Sequence, residues 1–94
     1  MRVELRRQAA EDLGRAARWY DDQRRGLGEA FLQAAEARIA RLASHPRAGS
    51  IVERMVRRVL VERFPYCIFY VVEPERLVVL AVLHVARDPD LWPK

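Results

Sequence analysis

The sequence predicts an α+β protein with the element order β-α-α-β-β-β, in which an N-terminal strand and an antiparallel helix hairpin pack on a small, mostly antiparallel sheet. One observation is helical periodicity, because apolar residues recur at three- and four-residue spacing between about residues 8 and 43. The other is a set of β-rich apolar runs between about residues 56 and 87, interrupted at Phe64-Pro65 and at residues 73–76. A chain of 94 residues is long enough for one core, so we expect a single domain over residues 1–94.

The N-terminal strand is predicted for residues 1–7. Val3 and Leu5 alternate there with arginine and glutamate. This period of two is typical of a strand that buries one face.

Two helices joined by a short break are predicted next. Their apolar stripes are Leu13, Ala16, Ala17 and Tyr20 in residues 8–25, and Phe31, Ala35, Ile39 and Leu42 in residues 27–43. Between the helices, Gly26 and Gly28 tolerate the left-handed backbone angles of a tight break. The second helix is expected to stop before Pro46, because proline cannot extend it. So short a connection predicts an antiparallel hairpin.

Residues 46–55 are predicted to form a loop, and three strands follow at about residues 56–63, 66–72 and 77–87. A proline-containing turn joins the last two strands. Both of these strands are almost continuously apolar, which is typical of strands in the middle of a sheet. We therefore expect the helix hairpin to cover one of their faces.

The charged residues point to an anionic partner. Lysine and arginine number 17 against 13 acidic residues, the net charge is +4, and Lys94 is the only lysine. Arginine suits planar, bidentate contacts with phosphate or carboxylate, so the partner would be nucleic acid or an acidic protein. An arginine-rich surface that reflects a GC-rich coding genome is an alternative of equal weight.

The cysteine and histidine content argues against disulfides and metal sites. Cys67 is the only cysteine, so no intrachain disulfide can form, which fits a reducing cytoplasm. Cys67, His45 and His84 cannot build a zinc site without distant carboxylates, and we expect no cofactor.

No apolar run reaches membrane-spanning length and no signal-peptide pattern opens the chain. We therefore expect a cytoplasmic protein without a membrane partner.

Standard catalytic motifs are absent from the sequence, which has no phosphate-binding glycine loop, nucleophile elbow or paired metal motif. The remaining candidates are five cationic side chains on or beside the predicted strands: Arg57, Arg58, Arg63, His84 and Arg87. If the first and last of the three strands are neighbours or share a face, these groups would form a positive strip suited to RNA or to a target protein. A solvated strand face is the alternative.

Four further side chains have a structural and a functional interpretation. His84 is either hydrogen-bonded at the edge of the core or a general acid. Cys67 is expected to be a packed thiol and not a nucleophile, because no activating base is identifiable. Trp19 is expected to pack in the helix layer and Trp92 to anchor the end of the chain.

Five segments, in order along nearly the whole chain, match a known family pattern. They are Trp19-Tyr20 in an acidic helix, Phe31-Leu32 in a helix that ends at Pro46, residues 57–66, Ile68-Phe69-Tyr70, and residues 82–89. With these segments the chain resembles the RelE/ParE superfamily of type II toxin–antitoxin toxins, and most closely its ParE-like, plasmid-stabilisation branch. The resemblance implies a small toxin that a cognate antitoxin neutralises, usually by wrapping a segment over the toxin surface.

The resemblance also implies one of two activities. RelE-like members cut mRNA on the ribosome, and ParE-like members inhibit DNA gyrase. In RelE-like nucleases a catalytic arginine on the central strand holds a position that Cys67 matches here, in the run Cys67-Ile68-Phe69-Tyr70. A thiol cannot supply the positive charge that stabilises the phosphate during cleavage. We therefore expect an inhibitor that binds gyrase, and not an enzyme.

Two alternatives stay open. One is a ribosome-dependent, metal-independent mRNA endonuclease that would use Arg63, His84 and Arg87. The other is a non-toxic binding module with the same fold. A neighbouring reading frame for a small antitoxin would favour either toxin hypothesis over the module.

Overall fold

The computed structural model describes residues 1–86. Its elements, in chain order, are β1 (Arg2–Leu5), α1 (Arg7–Gln23), α2 (Leu27–Ser44), β2 (Ser50–Glu53), β3 (Val56–Leu60), β4 (Tyr66–Val72) and β5 (Arg76–His84). The predicted α+β class is confirmed, as is the order of an N-terminal strand, a helix hairpin and then the remaining strands.

The strand β2 lies inside the segment that we predicted to be a loop, so that prediction is wrong for residues 50–53. Ile51 of β2 pairs with Arg57 of β3 across a tight hairpin, in which Arg54 has a φ of 51°. A strand of four residues, mostly exposed, carries too little periodicity to be recognised from its own sequence. Its pairing with β3 is what makes this segment a strand.

The sheet of residues 1–86 has the strand order β1-β5-β4-β3-β2. β1 runs parallel to β5, and the other three pairings are antiparallel, so the sheet is mostly antiparallel as predicted. β4 and β5 lie in the middle and are buried over most of their length. This position explains their continuous apolar runs, since a strand buried on both faces needs no alternation of polar residues.

The helix hairpin is closed by two glycines. Gly26 caps α2 with a φ of +90°, the left-handed angle expected for the break. At Gly28 a Cβ atom would lie 2.4 Å from the backbone oxygen of Ala17, so only glycine lets the helices approach this closely. Asp21 strengthens the crossing by accepting the Gly28 N–H at 2.7 Å. In the part of the chain that the structure describes, neither helix has the length and apolarity to cross a membrane.

The core lies between the helix hairpin and one face of the sheet. Phe31 of α2 is fully buried at its centre, with its ring centroid 5.0 Å from that of Tyr66 and 5.3 Å from that of Phe64. The ring of Tyr20 on α1 lies 5.4 Å away. These contacts join both helices to β4 and to the turn before it.

The opposite face of the central strands is apolar as well, because alternate residues of a strand point to opposite faces. Cys67 and Phe69 of β4 lie on this face, opposite Leu83 and Ala81 of β5, and both are almost fully buried. Towards β3 the same face continues to Leu60, which is 59% exposed. Apolar surface is therefore accessible near the β3 edge.

A buried carboxylate connects α1 to β5. Asp12 is 4% exposed, and its Oδ2 accepts the backbone N–H of Val82 at 2.9 Å. Its Oδ1 accepts from the Gln8 amide at 2.8 Å and from the Arg15 guanidinium at 3.3 Å. β1 pairs with β5 only as far as Val79, so Asp12 satisfies a donor of β5 that lies beyond the end of β1.

Candidate partner-binding surface

Arg57 and Arg58 are consecutive in β3, so their side chains leave opposite faces of the sheet. Arg57 faces the helix side and donates to two backbone oxygens of the loop before β2, the shorter bond being 2.7 Å to Gly49. Tyr70 fastens the same loop, since its hydroxyl accepts the Gly49 N–H and donates to the Pro46 oxygen, both at 2.8 Å. Arg57 therefore holds a loop in place, whereas Arg58 is exposed on the opposite face.

Arg63 lies in the turn between β3 and β4 and is exposed. Its φ of 71° is left-handed, which is uncommon for a residue with a side chain. It lines a groove of about 180 Å³ together with Arg38 and Arg41 of α2. Arg63 is therefore positioned beside α2.

His84 ends β5, where it lies opposite Tyr66 of β4. Its ring centroid is 5.0 Å from that of Tyr66 in an edge-on arrangement, and its Nδ1 accepts the Ala86 N–H at 3.0 Å. The residue is half-buried, as expected for a hydrogen-bonded histidine at the edge of the core. Arg87 and Trp92, which the sequence also singled out, lie outside the described residues.

The structure does not bring the described candidates into one strip. β4 separates β3 from β5, because both pair with it, one on each side. His84 lies opposite the core residue Tyr66, whereas Arg58 lies opposite Phe69 on the other face. These residues therefore do not form a strip along neighbouring strands, and Arg58 lies on the face opposite to that of Arg57 and His84.

An open cleft of about 410 Å³ lies between α1 and the end of β5. Trp19 and Arg15 line its helix side, and Tyr66 and His84 line its sheet side. Trp19 packs edge-on against a ring of α1, as expected for the helix layer, yet 43% of it is exposed to this cleft and to solvent. An indole, a guanidinium and an imidazole are groups that contact nucleotides, so this cleft is suited to nucleic acid.

Cys67 is 3% exposed, which confirms the prediction of a packed thiol. Burial raises the pKa of this thiol, and the positive charge of Arg58 opposes the rise only in part. The thiol is therefore neutral at physiological pH. A neutral, buried group cannot do the work of a catalytic arginine at this position.

The stability difference between the wild-type protein and Cys67→Ala is expected to change with pH. Because burial raises the pKa of Cys67, the folded protein retains a proton above the ordinary thiol pKa that the unfolded chain has already released. The free energy of unfolding of the wild type should therefore fall, relative to that of Cys67→Ala, as the pH rises. Urea unfolding at about pH 7 and about pH 10 measures this change across the ordinary thiol pKa. A difference that stays constant would show that the thiol is not shielded.

A second cationic surface was not predicted from the sequence. Arg38 and Arg41 are three residues apart on α2, so they share a helix face. Arg38 lines a groove of about 600 Å³ together with Arg58 of β3. The spacing of the two α2 arginines is readable in the sequence, but nothing in the sequence shows that their helix face lies beside β3.

Comparisons with known proteins agree with this fold. The family model described as the ParE toxin of type II toxin–antitoxin system, parDE, matches residues 3–89. A chain of the solved structure "Chromosomal ParDE TA system from P. aeruginosa" is similar, with a TM-score of 0.80 and 22% sequence identity. The alignment covers 89% of this chain and 95% of that chain, and at this identity it shows a shared fold. No curated protein matches the sequence.

Proposed function

The chain belongs to the ParE toxin family of type II toxin–antitoxin systems, and we propose that it inhibits DNA gyrase by binding to it and is neutralised by a cognate antitoxin. The observation that supports binding over cleavage is the state of Cys67. This thiol is buried and neutral at the position where RelE-like nucleases need a catalytic arginine. An inhibitor requires only a complementary surface and no reacting group. With such a target the protein acts in the cytoplasm.

Arg58 and Arg63 are the candidates best suited to contact the target. Both are exposed, whereas Arg57 is engaged with the loop before β2 and His84 is half-buried. Leu60, two residues further along β3, shares the face of Arg58 and is exposed, and Met55 is exposed in the β2–β3 turn. Arginine beside apolar side chains is typical of protein–protein contact sites.

The alternative is a ribosome-dependent, metal-independent mRNA endonuclease that uses Arg63, His84 and Arg87. The observation that favours it is the cleft beside His84, where Trp19 and Arg15 are placed to contact a nucleotide. Arg63 lines a different groove, beside α2, so the catalytic groups would have to act from separate surfaces. This arrangement makes cleavage the weaker proposal.

Induced expression in growing cells separates these activities. We expect growth arrest, relaxation of a reporter plasmid and intact mRNA in primer extension, with growth restored when the antitoxin is co-expressed. Arg58→Glu should relieve the arrest, because it reverses an exposed charge at the proposed target surface. Arg24→Glu, at the α1–α2 break, is the matched control and should remain toxic. Cuts in translated mRNA that disappear in His84→Ala would establish the nuclease instead, and unimpaired growth would favour a non-toxic module.

A further inference from the structure

The outer edge of β1 is unpaired within residues 1–86. β1 stands at the end of the strand order, and its pairing there is with β5 alone. The N–H of Arg6, directly after β1, bonds the Val79 oxygen of β5 at 3.0 Å. Since successive residues of a strand direct their backbone groups to opposite sides, those of Glu4 point to β5 and those of Val3 and Leu5 point outwards. β1 therefore offers backbone donors and acceptors to a further strand.

The two faces of β1 differ in chemistry. Arg2 and Glu4 share the face away from the helices, where their side chains form a salt bridge of 3.1 Å. Val3 lies on the other face and packs against the core. At the two ends of that face, Met1 is 47% and Leu5 is 41% exposed. The edge thus carries two opposite charges on one face and exposed apolar side chains at both ends of the other.

A second copy of β1 is complementary to this pattern. Residues directly opposite each other on antiparallel strands share a face, so their side chains make contact. When two copies of β1 pair antiparallel about Val3, Arg2 of each copy lies opposite Glu4 of the other. On the other face, Leu5 of each copy lies opposite Met1 of the other. Every position of this two-fold interface therefore meets a matching group.

The backbone pattern and the charges exclude the neighbouring registers. Outward-pointing groups must meet outward-pointing groups, so the register can shift only in steps of two residues. One such shift places Arg2 opposite Arg2 of the other copy, and the opposite shift places Glu4 opposite Glu4. Like charges in directly opposite positions are unfavourable. Charges on a short edge strand usually prevent pairing, but in β1 they alternate in sign and oppose only the shifted registers.

We propose that the toxin chain forms a two-fold dimer through β1, in which the two sheets join into one continuous sheet. One short strand buries little surface, so the association is weak and depends on protein concentration. β5 and β4 separate β1 from β3, so Arg58 remains exposed in the dimer. The dimer therefore presents the proposed target surface twice, and its formation does not depend on the proposed function.

Sedimentation velocity of the purified full-length chain, at increasing concentration and without antitoxin, tests the dimer. The wild type is expected to shift from monomer to dimer. Arg2→Glu and Glu4→Lys should each raise the dissociation constant by at least about tenfold, because each turns both opposite-charge contacts into like-charge contacts. Arg24→Glu changes the charge equally at the α1–α2 break and should dimerise as the wild type does.

An equimolar mixture of Arg2→Glu and Glu4→Lys tests the register. In a mixed dimer the introduced glutamate lies opposite the introduced lysine, and the native Glu4 of one chain lies opposite the native Arg2 of the other. The mixture should therefore dimerise as the wild type does, although neither variant does so alone. Such a rescue also shows that both variants are folded. Exchange of the Val3 amide should slow as the wild-type concentration rises, because its outward N–H becomes paired.

Three results would overturn the proposal. The first is a wild type that stays monomeric up to about 1 mM. The second is a dimer that persists in both Arg2→Glu and Glu4→Lys, which would place the interface on another surface. The third is a mixture of the two variants that stays monomeric while circular dichroism shows both to be folded, which would exclude the antiparallel register about Val3.

Discussion

Replacing Phe31 with alanine is expected to lower the free energy of unfolding by about 3–5 kcal/mol. Phe31 is fully buried, and its ring contacts aromatic side chains of α1, of β4 and of the turn before β4. The substitution removes buried apolar surface and leaves a cavity that this rigid cluster cannot close. Because small domains are stable by only about 5–15 kcal/mol, such a loss removes a large share of the stability of the protein. Urea unfolding of the two proteins measures the difference.

Phe31→Leu is the matched control for this prediction. Leucine keeps most of the volume but loses the aromatic contacts, so a loss of about 1–2 kcal/mol is expected. If Phe31→Ala lowered the free energy of unfolding no more than Phe31→Leu does, the aromatic cluster would not be the centre of the core.

The second large effect is expected at Asp12, where alanine should lower the free energy of unfolding by about 3 kcal/mol. The carboxylate accepts the buried N–H of Val82 at 2.9 Å, and alanine leaves that donor without an acceptor. The substitution also removes the bonds from Gln8 and Arg15. Since Asp12 joins α1 to β5, local opening should be seen as faster amide exchange at Val82.

Asp12→Asn separates the hydrogen bond from the charge. The amide oxygen can still accept the Val82 N–H, but the ion pair with Arg15 is lost. Asp12→Asn should therefore lower the free energy of unfolding by about 1 kcal/mol. Arg15 is largely exposed, and an ion pair with an exposed partner contributes little. Equal losses for alanine and asparagine would mean that the charge, and not the bond to Val82, is what stabilises this contact.

The elements that could be predicted from the sequence are those with a local signal. Residues close together in the chain carry this signal. It consists of the apolar stripes of both helices, the glycine break before α2 and the apolar runs of β4 and β5. β2 could not be predicted, because its four mostly exposed residues become a strand only through pairing with β3.

The candidate site was harder to predict from the sequence than the fold, because it depends on contacts between residues that are distant in the chain. Alternation along β3 predicts that Arg57 and Arg58 diverge, but the register with β4 decides which of them reaches solvent. Arg38 is 20 residues from Arg58 in the chain, and only the packing of α2 beside β3 brings both to one groove. The contact between Asp12 and Val82 spans 70 residues and has no sequence signal at all.

Cys67 is the sequence feature that argues most directly against RNA cleavage, because in the resemblance to RelE-like nucleases it holds the position of a catalytic arginine. The structure adds the physical reason, because burial at 3% exposure keeps the Cys67 thiol neutral. The pairing of Cys67 with Leu60 and Leu83 makes its surroundings apolar. A guanidinium at this position would be buried without a partner, so the packing of the sheet favours an uncharged residue there.

The central claim is that this toxin acts by binding gyrase, and a supercoiling assay with purified components tests it most directly. Gyrase is titrated with the toxin, and the loss of supercoiled product is measured with and without equimolar antitoxin. We expect the wild type to inhibit supercoiling, the antitoxin to restore it, Arg58→Glu to be inactive and Arg24→Glu to inhibit as the wild type does. Undisturbed supercoiling at a large excess of toxin, together with cleavage of mRNA on translating ribosomes, would contradict the claim.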